Sequence, residues 1–313
     1  MAAAELSARA AALAPPRAYG APPARGVLRA EPEDFVVEEE LGFAPAGSGS
    51  HLLLKVRKRN ANTPWVAHEL ARRAGCRPAE AGYAGLKDRR AVAVQWFSVP
   101  RPRSAINWQE PPGADFEVLE VHAHTRKLPR GALAGNRFAV RIRPQEGDGA
   151  ELAARLASRL AEIAQRGVPN YFGAQRFGRD AGNLQHLGAP RRLAPQQRGF
   201  VLSAARSLIF NAVLAARVAD GSWERLRAGD VANLDGRGSV FRVDLIDAAL
   251  LERCRRLEIH PTGAMWGEGC PSSEGEVLEL ETAIAARYPD AAAACAAARM
   301  AQERRSLRLR VHE

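Results

Sequence analysis

A single carboxylate, Asp88, stands among cations in the stretch AGYAGLKDRRAVAVQWFSV, residues 81–99. Lys87 precedes it and Arg89 and Arg90 follow it, and cations this close favour the ionised form of a carboxylate. The flanking glycines indicate a turn and the apolar run after it indicates a buried strand, a position where working residues are often placed. An ionised carboxylate there could act as a nucleophile or a base. The plainer interpretation is an exposed aspartate in a charged turn.

Patterns typical of other catalytic sites are not found in the sequence. It has no carboxylate pair at glycosidase spacing, no G-x-S-x-G motif and no P-loop. The four cysteines are scattered without C-x-x-C spacing, which predicts reduced thiols and neither a disulfide framework nor a zinc site. His122 and His124 form a close pair, but a zinc site needs three or four protein ligands. We therefore expect no metal site.

The charge of the chain indicates a polyanionic partner. The net charge is +10 and the isoelectric point is near 10.2, which favours nucleic acid first and an anionic membrane surface second. Only four of the 45 basic residues are lysines, a skew typical of GC-rich codons, so a single arginine says little about recognition. No run of about 18 apolar residues occurs, and the Ala/Pro-rich leader at 1–25 lacks the apolar core of a signal peptide. We expect a cytoplasmic protein.

Several runs before residue 145 predict strands around the Asp88 turn. The predicted strands are Phe35–Val37, 51–60, 92–99, 116–124 and 136–144. The first three are apolar runs bounded by turn residues, and the last two alternate as half-buried antiparallel strands do.

One helix is predicted between the second and third of these strands. The stretch NTPWVAHELARRAGCRP has Asn62 or Thr63 as an N-terminal cap, Pro64 in the first turn and apolar residues at helical spacing. Strands with a few helices make the first 145 residues an α+β region.

Helical patterns dominate after residue 150. An amphipathic helix at 149–167 follows a Gly-rich and Glu-rich linker, and further helices are predicted at 202–219 and 290–304. The final RRSLRLRV changes to a period of two, with its apolar residues on one face. Because no neighbouring strand could pair with it, we expect this strand to return to the first sheet, which would make the helical part an insertion.

Two phenylalanines could supply an aromatic platform for a nucleic-acid base near Asp88. Phe35 follows the turn at Pro32, and Phe138 lies in GNRFAV beside Asn136, whose amide can both donate to and accept from a pyrimidine edge. Taken singly, each phenylalanine would more commonly be a core residue. In NYFGAQRFGRDAGN, 170–183, aromatics alternate with arginines, which is typical either of a surface that binds a nucleic-acid strand or of a packed loop.

Several of these motifs, taken in order, resemble the TruD family of tRNA pseudouridine synthases. They are EPEDFVVEE, AGLKDRRAVAVQWFSV, GNRF, PNYFGAQRFGRD, HPTGAMWG and RRSLRLRV. The resemblance covers roughly residues 26–313. It implies a pseudouridine-synthase antiparallel sheet domain flanked by helices, at 26–160 plus 303–313, with an inserted, mainly helical TruD domain at 161–302.

The resemblance also implies roles for particular residues. Asp88 in GLKD matches the catalytic aspartate of the family, and Phe35, Asn136 and Phe138 match positions that contact the target uridine. Arg29 stands where the resemblance leads us to expect a lysine. If this basic group pairs with the aspartate, arginine keeps the charge and changes the geometry.

The function that the resemblance implies is isomerisation of uridine 13 in the D arm of tRNA to pseudouridine, by a cytoplasmic monomer that needs no metal or other cofactor. From the residues alone, two other classes stay open. A non-catalytic RNA-binding module would explain the charge and the aromatic–arginine clusters but gives Asp88 no task. A nuclease would use Asp88 but would normally show several metal-binding carboxylates together.

Overall fold

The computed structural model describes residues 13–110, 115–145, 149–190 and 193–311. The chain forms two compact units. They are the sheet unit, Ala24–Asp148, and the helix-rich unit, Met1–Pro23 with Gly149–Glu313. The division at 148/149 lies close to the change of pattern seen in the sequence. It differs from the expected boundaries, because 149–160 and 303–313 belong to the helix-rich unit.

Within the described residues of the sheet unit, the regular structure consists of strands β1 to β8, helix α1 and two short 3₁₀ helices. Their bounds are β1 Gly26–Leu28, β2 Phe35–Glu40, β3 His51–Arg59, α1 Thr63–Ala74, β4 Gly82–Tyr83, β5 Val92–Pro100, β6 Phe116–His124, β7 Gly135–Val140 and β8 Ile142–Pro144, with 3₁₀ helices at Pro32–Asp34 and Pro78–Glu80. Four of the five predicted strands and the predicted helix are present within a few residues of the expected bounds, and the fifth predicted strand is divided.

The main sheet of this unit has the order β6-β3-β5-β2-β7, and β4 pairs with β5 at one end. The sheet is mostly antiparallel, as expected, but β2 and β5 run parallel. Helix α1 packs on one face around Leu54, Val66, Leu70 and Phe97, all fully buried. Because adjacent Leu53 is also fully buried, on the opposite face, both faces of the centre of the sheet are covered.

The predicted strand at 136–144 is in fact two strands. β7 pairs with β2 in the main sheet, whereas β8 pairs with β1 in a separate two-stranded sheet. The change of partner occurs at Arg141, whose amide donates to the main-chain carbonyl of Asp34. This pairing carries the chain segment before β2 to the end of the main sheet, and Arg29 lies in that segment.

The helix-rich unit contains helices α2 to α6 and strands β9 to β14. Their bounds are α2 Gly149–Arg166, β9 Val168–Pro169, α3 Pro195–Ala219, β10 Val231–Leu234, β11 Val240–Arg242, α4 Ala248–Arg255, β12 Ile259–Met265, α5 Gly275–Ala286, α6 Pro289–Ala297, β13 Glu303–Ser306 and β14 Arg308–Leu309, with 3₁₀ helices at Ala174–Phe177 and Arg179–His186. A sheet of order β11-β10-β12-β13 packs with α3, whose central residues are fully buried.

The C-terminal strands do not return to the first sheet, so that expectation is wrong. β13 pairs with β12, and β14 pairs with β9, all within the helix-rich unit. The expected apolar face is also only partly formed, because Leu307 is buried while Leu309 is exposed. Arg308 is buried instead, and its guanidinium donates to the main-chain carbonyls of Cys254 and Ile259. Long-range pairing and satisfied buried polar groups outweigh the local alternation here.

Helix α3 is long and apolar enough to cross a membrane, but most of its apolar stretch is buried within the unit, which is typical of the core helix of a soluble protein. The Ala/Pro-rich leader lies partly outside the described residues, at 1–12. Its later part packs in the helix-rich unit, where the Tyr19 ring meets Trp223 edge-on with centroids 6.0 Å apart.

Candidate active site

Asp88 lies in the loop between β4 and β5, and its side chain is 49% exposed. Its ion-pair partner is Arg29, with 3.0 Å between the arginine Nη2 and the aspartate Oδ2. Two of the neighbours that the sequence suggested, Lys87 and Arg89, have other partners. Lys87 forms a buried ion pair with Glu39, and the Nε of Arg89 donates to a main-chain carbonyl. The cation that faces Asp88 therefore comes from a distant part of the chain.

Arg29 follows β1 directly and adopts a φ of 56°, in the left-handed region that residues other than glycine rarely adopt. The surrounding loop is tied down by Asp34, which is fully buried and accepts bonds of 2.8 and 2.9 Å from the guanidinium of Arg143 on β8. These bonds hold the pKa of Asp34 below its usual range. A strained backbone that is held this firmly is common at functional sites.

The two phenylalanines form one aromatic surface beside this ion pair. The guanidinium carbon of Arg29 lies 4.2 Å from the centroid of the Phe35 ring. The Phe35 and Phe138 rings are 5.8 Å apart and inclined at 55°. Phe35 is half-buried, and Phe138 is 57% exposed. Phe138 is therefore not a core residue, and its ring is accessible to a ligand.

Asn136 lies on the same strand as Phe138 and on the same face. In the antiparallel register Asn136 is opposite Glu39, and Phe138 is opposite Val37, two residues along each strand. The side chain of Asn136 is exposed, and its side-chain amide makes no hydrogen bond among the described residues. An ion pair and ring contacts thus link Asp88, Arg29, Phe35 and Phe138, and Asn136 lies on the face of β7 that carries Phe138.

A buried layer of polar side chains holds the backbone that carries Asp88. The main-chain amide of Lys87 donates to the Thr63 hydroxyl over 3.1 Å, and this hydroxyl donates to the Gln95 side chain over 2.9 Å. Gln95 in turn donates to the main-chain carbonyl of Gly85 over 2.7 Å. The sequence predicted Asn62 or Thr63 as the helix cap; in the structure Asn62 occupies the N-cap position, and the Thr63 hydroxyl serves the loop.

Lys58 completes this layer directly beneath Asp88. It is fully buried, and its ammonium donates to the main-chain carbonyls of Ala61, at 2.7 Å, and Asp88, at 2.9 Å. Burial lowers the pKa of Lys58 to about 8, and the charge of Lys87 adds to this effect while that of Asp88 opposes it. The ammonium remains the main form at pH 7. Sequence reasoning missed this residue, although the alternation of β3 places it on the same face as buried Leu54 and Val56.

The aromatic–arginine cluster at 170–183 lies in the helix-rich unit, where its two phenylalanines pack against core clusters. Phe177 is fully buried in a core cluster. The guanidinium carbons of Arg176 and Arg305 lie 5.0 Å and 4.1 Å from the centroid of the Phe172 ring. Arg176 also donates to the Ser203 hydroxyl over 2.9 Å. Phe177 is therefore not a surface for stacking bases.

No group of three or more histidine, cysteine or acidic side chains that could hold a metal occurs among the described residues. The two close histidines have separate partners. His122 lies 2.9 Å from a carboxylate oxygen of Glu120, and His124 accepts from the main-chain amide of Ala46 over 3.3 Å. Each ring therefore has its own protein partner, a carboxylate for His122 and a main-chain amide for His124.

The chain is similar to known proteins over nearly all of its length. The family model described as tRNA pseudouridine synthase D (TruD) matches residues 16–190 and 184–312. A protein of Methylococcus capsulatus named tRNA pseudouridine synthase D is 44% identical over 304 residues, which cover 95% of this chain and 84% of the relative. A protein of the same name from Xanthomonas axonopodis pv. citri is 44% identical over 318 residues, which cover 95% and 85%.

A solved structure shows that the fold is shared as well. The crystal structure of a protein from Methanosarcina mazei, provisionally assigned as tRNA pseudouridine synthase D (TruD), superposes with a TM-score of 0.76. The match covers 95% of this chain and 87% of that one, at 20% sequence identity. With the matches in sequence, these findings show that the chain belongs to the tRNA pseudouridine synthase D (TruD) family.

Proposed function

We propose that this protein is an isomerase that converts a uridine of tRNA to pseudouridine, that the target is uridine 13 in the D arm, and that Asp88 is the catalytic carboxylate. The observation that carries the proposal is the half-exposed Asp88–Arg29 pair beside the accessible rings of Phe35 and Phe138. An aromatic surface can receive an extruded base, and a carboxylate beside it can act on the nucleotide. Membership of the family supports the same assignment.

The reaction exchanges one bond to the ribose for another. The bond between uracil N1 and ribose C1′ breaks, the uracil turns, and C5 bonds to C1′. C5 loses one proton and N1 gains one, so the atoms balance without a leaving group or a change of oxidation state. The overall reaction therefore consumes no cofactor. Asp88 has two possible tasks here, attack on C1′ to hold the ribose covalently or removal of the C2′ proton.

A uridine within a folded tRNA must leave its stack to reach Asp88, and the energy of the lost contacts must be recovered in the site. The exposed Phe138 ring offers a stacking face, and Phe35 continues this surface toward Arg29. The side-chain amide of Asn136 has no partner among the described residues, and it can donate to and accept from the uracil edge. We assign substrate contacts to these three residues.

The site residues Asp88, Arg29, Phe35, Asn136 and Phe138 all belong to the sheet unit. We therefore propose this unit as the catalytic part of the protein. The net charge of +10 supports a tRNA partner, because phosphate contacts supply most of the affinity for nucleic acids. We further propose that the enzyme acts as a monomer in the cytoplasm.

The decisive experiment measures pseudouridine in an unmodified tRNA transcript incubated with the protein in the presence of EDTA. We expect pseudouridine at position 13 and no product in a transcript that carries cytidine there. Binding without any pseudouridine would favour a binding module, and cleavage of the transcript that stops with EDTA would favour a nuclease. Pseudouridine at another position would leave the chemistry in place and overturn the assignment of the target.

Replacement of Arg29 tests the role of the ion pair. Because both side chains are about half exposed, we expect Arg29→Ala to lower the free energy of unfolding by no more than about 1 kcal/mol. The rate of product formation should fall by about tenfold or more, since the positioned cation is lost beside both Asp88 and Phe35. Single-turnover kinetics and thermal melting measure the two effects.

Arg57→Ala is the matched control for this variant. Arg57 forms an ion pair of similar exposure with Glu117 on β6 and contacts none of the site residues. We expect both variants to melt alike and only Arg29→Ala to lose activity. Equal rates in the two variants would show that the Asp88–Arg29 pair is a surface ion pair without a catalytic task.

A further inference from the structure

The backbone that carries Asp88 is held from below by two fully or almost fully buried side chains on rigid elements. Lys58, 0% exposed at the end of β3, binds the main-chain carbonyl of Asp88 over 2.9 Å. Thr63, 1% exposed at the start of α1, binds the main-chain amide of Lys87 over 3.1 Å. The two bonds hold adjacent residues of the loop, from different elements.

The use of a lysine at position 58 is unusual for this chain, in which most basic residues are arginines. The sequence has only four lysines among 45 basic residues, yet the two at this loop, Lys58 and Lys87, have side chains that are 0% and 8% exposed. A buried charge is costly unless its donors are satisfied, and both recorded acceptors of Lys58 are main-chain carbonyls. The ammonium is a compact group with three donors that rotation can direct at the two carbonyls, which keeps the buried charge satisfied. Lys58 therefore ties the carbonyl of Asp88 to that of Ala61 through one buried group.

The neighbouring contacts extend this support. Gln95 accepts from Thr63 and donates to the carbonyl of Gly85, three residues before Asp88. Buried Glu39 receives the ammonium of Lys87 and the main-chain amide of Trp96, so the side chain next to Asp88 in sequence is drawn into the protein. With Lys87 directed inward, Asp88 is directed outward to Arg29.

We propose that Lys58 and Thr63 are positioning residues, which hold the loop backbone at Lys87 and Asp88 and thereby orient the Asp88 carboxylate for reaction. Both act through Asp88, since neither is accessible to a substrate. This inference rests on the proposed function of Asp88. A displacement of about 1 Å at a reacting group can reduce the rate about 100-fold, so loss of one of these bonds should be visible in catalysis.

The test compares three variants in the tRNA assay. Lys58→Met removes the ammonium and keeps an unbranched side chain, and Thr63→Val keeps the shape and removes the hydroxyl. Lys55→Met is the control, because Lys55 lies on the same strand and pairs at 3.1 Å with Glu38 and Glu120, away from the loop. We expect kcat to fall by about tenfold or more in the first two variants while KM changes by less than about twofold, and Lys55→Met to stay close to wild type.

Hydrogen exchange provides a readout that does not depend on activity. In Lys58→Met the amide of Lys87, which is bonded to Thr63, should exchange faster than in wild type, while amides in the centre of β3 and β5 keep their protection. If Lys58→Met does not fold, exchange in Thr63→Val is measured at Gly85 to Asp88, and its kcat is compared with that of wild type.

Wild-type kcat in Thr63→Val, or unchanged exchange of the loop in Lys58→Met, would overturn the inference. An equal loss of kcat in Lys55→Met would do the same, because the effect would then not be specific to the loop. Failure of the wild-type protein to form pseudouridine would instead refute the proposed function, and the exchange measurement would still decide whether these residues hold the loop.

Discussion

Asp88→Asn is expected to form no measurable pseudouridine while it folds and binds tRNA normally. Asparagine keeps the size and part of the hydrogen bonding of aspartate, but it lacks the charge and the nucleophilic oxygen. Loss of a nucleophile or of the general base removes the low-barrier route, so we expect the rate to fall by at least about 10⁴-fold. Because the pair with Arg29 is half exposed, its loss should change the free energy of unfolding by about 0–1 kcal/mol.

Pseudouridine in a tRNA transcript, tRNA affinity and thermal melting together measure this variant. Glu117→Gln is the control, because Glu117 is also about half exposed and is also paired with an arginine, Arg57, in the same unit. Affinity for tRNA should be equal to that of wild type or higher, since a negative charge that faces phosphates is removed. Product formation by Asp88→Asn at the rate of the control would end the catalytic assignment of Asp88.

Phe138→Ala is expected to reduce turnover by roughly 5- to 150-fold, because stacking of one base on an aromatic side chain is worth about 1–3 kcal/mol. The effect on tRNA affinity should be smaller, since the ring is expected to contact one extruded nucleotide of a large substrate. Stability should fall little. The ring is 57% exposed, and its recorded ring contact, with Phe35, is worth about 0.5–1.5 kcal/mol.

Two control variants separate stacking from a role in the fold. Phe43→Ala removes another exposed ring of the sheet unit, which stacks on His124, and should leave turnover near that of wild type. Phe97→Ala empties a fully buried position and should cost about 3–5 kcal/mol of folding free energy. If Phe138→Ala melts like Phe97→Ala, or turns over like Phe43→Ala, the stacking role is refuted.

Strong local signals in the sequence predicted most elements of the sheet unit. The alternation at 116–124 matches the bounds of β6, and Pro64 in the first turn places the start of α1. The assignment of the final strand was wrong, because a period of two says that a strand forms and not which strand pairs with it. Pairing of β13 with β12 is a long-range contact, and no local pattern encodes it.

The candidate site could likewise be predicted from the sequence only in part. The types and order of Phe35, Asp88, Asn136 and Phe138 could be recognised in the sequence, since the motifs that contain them are long. Contact between the rings of Phe35 and Phe138 depends on the pairing of β2 with β7, because this pairing joins residues that are far apart in the chain.

The sequence by itself determined that a lone carboxylate would stand in a cationic turn before a buried strand, because glycines, charges and apolar runs are local properties. Which cation faces that carboxylate was decided by the tertiary structure. Pairing of β1 with β8 brings Arg29 to Asp88, while Glu39 draws Lys87 into the interior. Burial of Lys58 beneath the loop follows from the same packing, since the main-chain carbonyls of Ala61 and Asp88, from separate segments, accept from its ammonium.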